Sequence, residues 1–192
     1  MLLEDILSRK KNRKRMTVVT PSMRPENLLR VAESIDLDYL DAWIIVYDGN
    51  KVCSNPRLFN HEKIKEYVFQ GDGNTGNPQR NFGIEMIKNQ NTFIYFLDDD
   101  NVVHSNMYKL LDVAFDGEFY TFNQEGGLKG DKIAINQIDT GMYLVDFKIA
   151  KEVRWFPHCH ASDFYYINEC YSKNKNSWVY LDSDICYYNK ML

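Results

Sequence analysis

Short runs of apolar residues recur along the chain, and polar residues follow several of them directly. The runs are rich in β-branched and aromatic residues and are shorter than typical helices, which predicts buried strands. Between the first two runs, the apolar residues from Leu28 to Ile35 recur at helical spacing. Alternation of strands and helices predicts an α/β fold built on a parallel sheet. The runs are Met16–Thr20, Trp43–Tyr47, Phe93–Leu97 and Phe119–Phe122.

The second half of the chain predicts shorter elements. Lys132–Ile135 and Thr140–Val145 have strand-like composition. A helix is predicted to begin near Ser162, because apolar residues follow it at helical spacing. The two apolar runs Trp178–Leu181 and Ile185–Tyr188 predict a closing hairpin or a pair of edge strands.

Three consecutive carboxylates, Asp98–Asp100, follow the strand Phe93–Leu97 directly. Open α/β sheets bind ligands at the carboxyl ends of their strands. Adjacent carboxylates repel each other, and Mg²⁺ and Mn²⁺ prefer oxygen ligands. The stretch therefore predicts a bound divalent cation with a diphosphate, although a solvated acidic turn before a helix has the same pattern.

Two further polar segments are predicted near the same edge of the sheet. Asp48 ends the second strand, and the glycine- and asparagine-rich loop Gly71–Asn77 precedes a helix that Asn77 can cap and Pro78 can start. Free N–H groups at such a helix start can bind an anion, but neither common phosphate-loop fingerprint is present. Arg80 lies in the first turn, where its guanidinium can bind a phosphate or a carbonyl.

Composition narrows the class of protein. The 192 residues suit one domain, 16–192, preceded by a basic segment, 1–15, and the net charge of -4 argues against nucleic acid as a partner. We expect no signal peptide and no membrane-spanning helix, and hence a cytoplasmic protein whose residues 1–15 are solvated or contact an anionic membrane surface. The four cysteines are far apart and are expected to be free thiols.

Four segments together resemble the nucleotide-binding core of glycosyltransferases with the GT-A fold, especially the large second family of inverting enzymes. The resemblance implies a Rossmann-like α/β/α sandwich with a mostly parallel mixed central sheet. Residues 16–115 would form the nucleotide-binding half, and residues 116–192 would carry the acceptor site and the catalytic base. The segments are Thr17–Ser22, Val46–Gly49, Gly76–Ile84 and Phe96–Asp100.

The resemblance implies a metal-dependent enzyme that moves a sugar from a nucleotide-sugar, preferably a UDP-sugar, to a hydroxyl of a glycan or similar acceptor, with inversion. Mn²⁺ or Mg²⁺ would be the cofactor. The D-x-D signature falls on Asp98 and Asp100, so Asp100 would bind the metal, and Asp98 would bind the metal or the ribose. Asp99 could replace either one, because three aspartates leave the register open. The residues implied to bind the nucleotide-sugar are Thr20, Pro21, Ser22, Arg24, Asp48, Asn77, Arg80, Asp98 and Asp99.

The remaining predicted site residues lie in the second half of the chain. Asp163 matches the acid that opens a helix in the family and serves as catalytic base, although Ser162 stands where a Glu is commoner; an ordinary helix-start residue is the alternative. His158 and His160 could complete the metal shell or contact the diphosphate, or they could simply be exposed. Asp139, Thr140 and Trp155 are expected to shape the sugar and acceptor pocket.

Other functions share parts of this pattern. A sugar-phosphate nucleotidyltransferase uses a similar sheet but needs a glycine-rich basic loop after the first strand, and Thr20–Arg24 contains no glycine. A non-catalytic module that binds a nucleotide or a sugar would keep the same edge of the sheet. A metal-dependent phosphohydrolase would use the same carboxylates.

Overall fold

The computed structural model describes residues 14–51 and 57–191. Seven strands in this part of the chain form one mixed sheet. They are β1 (Met16–Ser22), β2 (Leu40–Asp48), β3 (Ile64–Phe69), β4 (Phe93–Phe96), β5 (Phe119–Gln124), β6 (Tyr143–Asp146) and β7 (Trp178–Cys186). Their order in the sheet is β3-β2-β1-β4-β6-β5-β7.

Helices and short 3₁₀ turns connect the strands. The helices are α1 (Leu28–Glu33), α2 (Asn77–Glu85), α3 (Asn106–Leu111), α4 (Phe147–Ala150) and α5 (Ser162–Lys173). Helix α2 packs against β1 and β2, and α4 packs against β4 and β6. The 3₁₀ turns are Pro25–Asn27, Thr140–Met142 and Lys175–Ser177.

The predicted α/β sandwich with a mostly parallel mixed sheet is confirmed. Strands β1 to β4 are mutually parallel, β5 is parallel to β7, and β6 runs antiparallel to both of its neighbours. Consecutive residues from Met16 to Thr20 are all buried. Because successive strand residues point to opposite faces, both faces of the sheet are covered at β1.

Two elements differ from the prediction. Lys132–Ile135 forms turns rather than a strand, and Ile135 is 48% exposed, so this apolar residue finds no place in the core. The expected closing hairpin is a single strand, β7. The pairing of β7 with β5 shifts register around Asn123. This irregularity allows the polar residues 182–184, which separate the two apolar runs in the sequence, to remain within the strand.

The parallel arrangement of β1, β2 and β4 positions the polar loops. The carboxyl ends of these strands lie at one edge of the sheet, so Ser22, Asp48 and Asp98 follow neighbouring strands there. Strand β4 is buried along its whole length, which fixes the starting point of the acidic turn.

Some expectations lie outside the described residues. These are most of the basic segment 1–15, of which residues 14 and 15 are described, and Cys53. Lys14 Nζ lies 2.8 Å from Asp116 Oδ1. The other three cysteines are free thiols, with Cys170 and Cys186 buried. In residues 14–51 and 57–191, each helix is too short or too polar to cross a bilayer.

Candidate functional site

A cavity of about 580 Å³ opens at the carboxyl edge of the sheet. The loops after β1, β2 and β4 surround it, together with the glycine-rich loop before α2. This is the position that open α/β sheets use for ligands. The predicted site residues that line it are Pro21, Ser22, Arg24, Asp48, Arg80, Asp98, Asp99 and Asp100.

Asp99 connects the loop after β1 to the loop after β4. One of its carboxylate oxygens accepts hydrogen bonds from the backbone N–H groups of Met23 and Arg24, both at 2.8 Å. The other accepts from Arg24 Nε at 2.9 Å, and the Asp99 carbonyl accepts from Asn27. Because Asp99 is 2% exposed and both oxygens are engaged, its main contribution is to hold the two loops together.

The two outer carboxylates pair with different arginines. Asp100 Oδ2 accepts from Arg24 Nη2 at 2.7 Å, and Asp98 accepts a short hydrogen bond from Arg80 Nη2. The Asp98 side chain is 35% exposed and that of Asp100 is 13% exposed. These two carboxylates are therefore the ones with oxygen surface turned to the cavity.

Arg80 is almost fully buried, with only 3% of its surface exposed, and several neighbouring groups hold its guanidinium in place. Its Nη1 donates to the Thr75 carbonyl at 2.6 Å and to Asn77 Oδ1 at 3.1 Å. The guanidinium lies 4.6 Å from the centre of the Trp155 ring, within cation–π range. Its buried Nε is without a hydrogen-bond partner in the described part of the chain.

Asp98 lies near two other carboxylates and one arginine. Burial raises the pKa of Asp98, Arg80 opposes that rise, and the charges of Asp139 and Asp100 add to it. The pKa is raised overall because burial outweighs the stabilising charge of Arg80.

The oxygen ligands suit Mn²⁺ or Mg²⁺ shared with a diphosphate. No cluster of three or more His, Cys, Asp or Glu side chains that could hold a metal is present in residues 14–51 and 57–191. Mg²⁺ is commonly held by one or two carboxylates together with substrate phosphates rather than by a full protein cage. Asp98 and Asp100 fit that arrangement.

Asp163 lies in the first turn of α5 and is partly buried. Its Oδ1 accepts a hydrogen bond from the Phe164 N–H at 2.8 Å. Burial raises the pKa of Asp163 to about 6; the charge of Asp139 adds to this and that of Arg80 opposes it. Asp163 does not line the cavity itself.

Three predicted residues lie behind the cavity wall. Thr20 is buried and accepts a hydrogen bond from Trp43 Nε1 at 2.9 Å. Trp155 is 1% exposed and stacks on Tyr166 with ring centres 4.8 Å apart, so it belongs to the core. Asn77 is buried and braces the segment after Trp155 through the carbonyls of residues 156 and 159.

The remaining predicted residues surround the site less closely. The Asp139 side chain accepts from the Thr140 N–H and from Gln124 Nε2 and is half-buried, whereas Thr140 is buried. His158 is exposed, with its Nε2 4.0 Å from Asp72 Oδ2, and His160 is exposed as well. Neither histidine lines the cavity.

Several cavity residues were not predicted from the sequence. Lys51 and Gln79 line the cavity, and only their nearness to Asp48 and Arg80 in the sequence could have suggested them. The residue that caps helix α2 is Gly76, not Asn77 as predicted. The backbone at this position is left-handed, with φ of 77°, a conformation that glycine adopts readily. A Cβ on Gly76 would lie 2.6 Å from Pro21, so glycine also allows the two loops to approach.

The mixed seven-stranded sheet with its flanking helices matches solved structures of glycosyltransferases with the GT-A fold, which confirms the fold that the sequence resemblance implied. TarS from S. aureus aligns with a TM-score of 0.63 at 12% identity, over 90% of this chain and 60% of that one. The present chain thus spans less than two thirds of the TarS chain.

Two further solved structures share the fold. Glucosyl-3-phosphoglycerate synthase from Mycobacterium tuberculosis, solved with Mn²⁺, UDP and glucosyl-3-phosphoglycerate, has a TM-score of 0.60 at 10% identity, over 98% of this chain and 76% of that one. The 4-diphosphocytidyl-2C-methyl-D-erythritol synthase from Anaerococcus prevotii has a TM-score of 0.54 at 11% identity, over 92% and 89% of the two chains. No family model matches the chain, and no curated protein matches its sequence. At these identities the comparisons establish the fold.

Proposed function

We propose that this chain is a metal-dependent glycosyltransferase that moves a sugar from a nucleotide-sugar, with UDP-sugars preferred, to a hydroxyl of a glycan or similar acceptor, with inversion. The observation that carries the proposal is the pairing of Asp98 and Asp100 with two arginines at the mouth of the cavity at the carboxyl ends of β1, β2 and β4. The M. tuberculosis synthase with the same fold was solved with Mn²⁺ and UDP, which supports the choice of metal and nucleotide.

The nucleoside would bind between the loops after β1 and β2. Asp48 ends β2 with a side chain that is 21% exposed and can accept hydrogen bonds from a base. Ser22 Oγ is buried at the cavity wall and has no partner in the described residues, so its hydroxyl is available to a ligand. A buried polar group without a partner is costly, which favours a bound ligand here.

The diphosphate would bind beside Arg80 and the acidic turn. Asp98 and Asp100 would hold Mn²⁺ or Mg²⁺, which when bound neutralises charge on the leaving diphosphate. Arg80 is fixed by its bonds to Thr75, Asn77 and Asp98, so it can stabilise developing charge without reorganising. Lys51 lines the same cavity and, after Arg24 and Arg80, adds a third basic side chain, with its Nζ 3.9 Å from Asp48 Oδ2.

Asp163 would take the proton from the acceptor hydroxyl as that oxygen attacks the anomeric carbon. A general base works best when its pKa is near the working pH, and the raised pKa of Asp163, about 6, meets that condition. Attack on the side opposite the leaving diphosphate forms one bond as the other breaks, so the anomeric centre is inverted.

The raised pKa predicts how the rate depends on pH. The ionised form of Asp163 is the active base, so kcat/KM should fall as the pH drops through about 6. Asp139→Asn removes a charge that raises the pKa of Asp163, so the fall should move to lower pH. A pH–rate profile of each protein tests these statements. A wild-type fall centred at the ordinary carboxyl value of about 4 would contradict the first, and the same midpoint in both proteins would contradict the second.

Turnover is the direct test of the proposal. The chain should release the nucleoside diphosphate from one or more nucleotide-sugars when Mn²⁺ and a glycan acceptor are both present, measured by coupled detection of UDP or GDP. Binding of the nucleotide-sugar without release would indicate the non-catalytic module. Phosphate released from simple phosphate esters with no acceptor would indicate a phosphohydrolase.

A sugar-phosphate nucleotidyltransferase is the second candidate, because the A. prevotii synthase matches over 89% of its own length. The loop after β1 argues against it, since Thr20–Arg24 lacks the glycines that such enzymes need there. Pyrophosphate release from a nucleoside triphosphate and a sugar phosphate would favour this candidate over sugar transfer.

The proposal also covers where in the cell the reaction takes place. The chain would act in the cytoplasm, with the basic segment 1–15 either solvated or in contact with an anionic membrane surface. Each Lys or Arg near such a surface contributes about 1 kcal/mol to binding. Co-sedimentation with anionic and neutral vesicles, with and without residues 1–15, tests this contact.

A further inference from the structure

We infer that a second cavity, beside the turn that carries Asp163, binds a sugar ring of the acceptor. This aromatic groove has a volume of about 450 Å³ and is lined by Phe156, Pro157, His158, Cys159 and Tyr165. Its lining is almost entirely apolar, unlike that of the donor cavity. The inference rests on the proposed function for what the bound sugar does, but the binding itself can be measured separately.

The backbone of the groove is held firmly. The Phe156 carbonyl accepts from Asn77 Nδ2 at 3.0 Å, and the Phe156 N–H donates to Ser162 Oγ at 2.9 Å. The Cys159 carbonyl accepts from the same Asn77 amide at 3.1 Å. A surface whose backbone is fixed in this way loses little freedom when a ligand binds.

The two aromatic side chains form a corner that faces solvent. The ring centres of Phe156 and Tyr165 are 5.6 Å apart, and the rings are nearly perpendicular at 88°. Phe156 is 48% exposed and Tyr165 is 39% exposed. Large apolar side chains that remain exposed together often mark a binding surface.

The groove adjoins the donor cavity and the helical turn that carries Asp163. The Pro157 carbonyl accepts from the Asn74 N–H at 2.6 Å, and a Cβ on Gly73 would lie 2.6 Å from that same carbonyl oxygen. Gly73 and Asn74 line the donor cavity, so the two cavities share this wall. On the other side, Tyr165 follows Asp163 by two residues in the first turn of α5. An acceptor in the groove would therefore lie beside the turn that carries Asp163 and across the shared wall from the donor cavity.

The chemistry of the groove favours a sugar over other acceptors. A pyranose has an apolar C–H face that can pack on an aromatic ring, while its hydroxyls stay in water or contact the exposed His158 at the rim. A lipid chain gains free energy in proportion to the apolar area removed from water, so it needs a long groove, whereas five residues line this one. A phosphorylated hydroxy acid needs cations, and neither Lys nor Arg is among the five lining residues.

The test measures binding of four disaccharides, maltose, cellobiose, lactose and chitobiose, by saturation-transfer NMR, with 3-phosphoglycerate as the acidic comparison. At least one disaccharide should bind wild type, and Phe156→Ala and Tyr165→Ala should each weaken that binding by about three- to tenfold. Tyr165→Phe should bind as wild type does, because the ring is kept. Phe115→Ala, which removes an exposed ring elsewhere, is the matched control and should also bind as wild type does.

Three results would overturn the inference. The wild-type protein binds none of the disaccharides, the alanine variants bind a disaccharide as tightly as wild type does, or wild type prefers 3-phosphoglycerate to the disaccharides. Equal losses in Tyr165→Phe and Tyr165→Ala would show a hydroxyl contact in place of ring packing. A wild-type dimer that Phe156→Ala converts to a monomer would assign the groove to self-association.

The proposed function can fail independently of this groove. A UDP-induced rise in Tm with Mn²⁺ reports the donor cavity, and it should persist in the groove variants because neither Phe156 nor Tyr165 lines that cavity. If wild type shows no such rise but still binds a disaccharide through Phe156 and Tyr165, the glycosyltransferase proposal fails and the sugar site stands.

Discussion

Asp163→Asn should lower kcat for sugar transfer by about 10²- to 10⁴-fold, the usual contribution of a general base. Asparagine has nearly the same shape and can still accept the hydrogen bond from the Phe164 N–H, so the start of α5 should be preserved. Because the donor cavity does not include Asp163, the rise in Tm on adding UDP and Mn²⁺ should remain. The measurement is steady-state kinetics with a saturating donor, together with thermal unfolding.

The matched control for Asp163 is Glu169→Gln on the same helix. Glu169 pairs with Lys173 at the surface, 2.7 Å apart, and its loss should leave kcat close to wild type. If Asp163→Asn lowers Tm but leaves kcat within a few fold, Asp163 is an ordinary helix-start residue. The product should have the inverted anomeric configuration by NMR, and a retained configuration would rule out Asp163 as the base of a single displacement.

Arg80→Lys should lower kcat by about 10²- to 10³-fold, the loss that follows removal of one well-placed donor to developing negative charge. Lysine keeps the positive charge but cannot reach Thr75, Asn77 and Asp98 together, because a single ammonium replaces the planar guanidinium. Arg80 is also packed against Trp155, so we expect a lower Tm as well. Kinetics at saturating donor separates the effect on rate from the effect on binding.

Arg154→Lys is the control for this substitution. Arg154 is half-exposed, with its guanidinium 3.9 Å from Glu85, and it lies outside the donor cavity. Its replacement should change neither kcat nor Tm appreciably, since exposed pairs contribute little. An Arg80→Lys variant with wild-type kcat would show that Arg80 only supports Asp98 and does not act on the diphosphate.

Much of the fold could be predicted from local pattern. The runs at β1, β2 and β4 are β-branched and aromatic, and polar residues end each of them, so both the parallel sheet and its functional edge follow from the sequence. The reversed direction of β6 could not be predicted, because it depends on long connections rather than on composition. The single strand β7 was missed for a similar reason: its pairing with β5 accommodates polar residues that would elsewhere form a turn.

The roles within the acidic turn depend on tertiary position. The sequence left the register of the three aspartates open, and the structure separates them because the loop after β1 brings Arg24 and two backbone N–H groups to Asp99. Trp155 was expected in a pocket, but it packs in the core against Tyr166. Whether an aromatic ring faces solvent or the core depends on neighbours that are distant in the sequence.

The affinity of UDP with and without Mn²⁺, measured by isothermal titration calorimetry, tests the central claim most directly. We predict that Mn²⁺ strengthens UDP binding to wild type by about tenfold or more, and that the Asp98→Asn/Asp100→Asn double variant, if its Tm shows that it is folded, loses this gain. Equal affinity with and without Mn²⁺ in wild type, or the full gain in the double variant, would contradict a metal-bound diphosphate at the acidic turn.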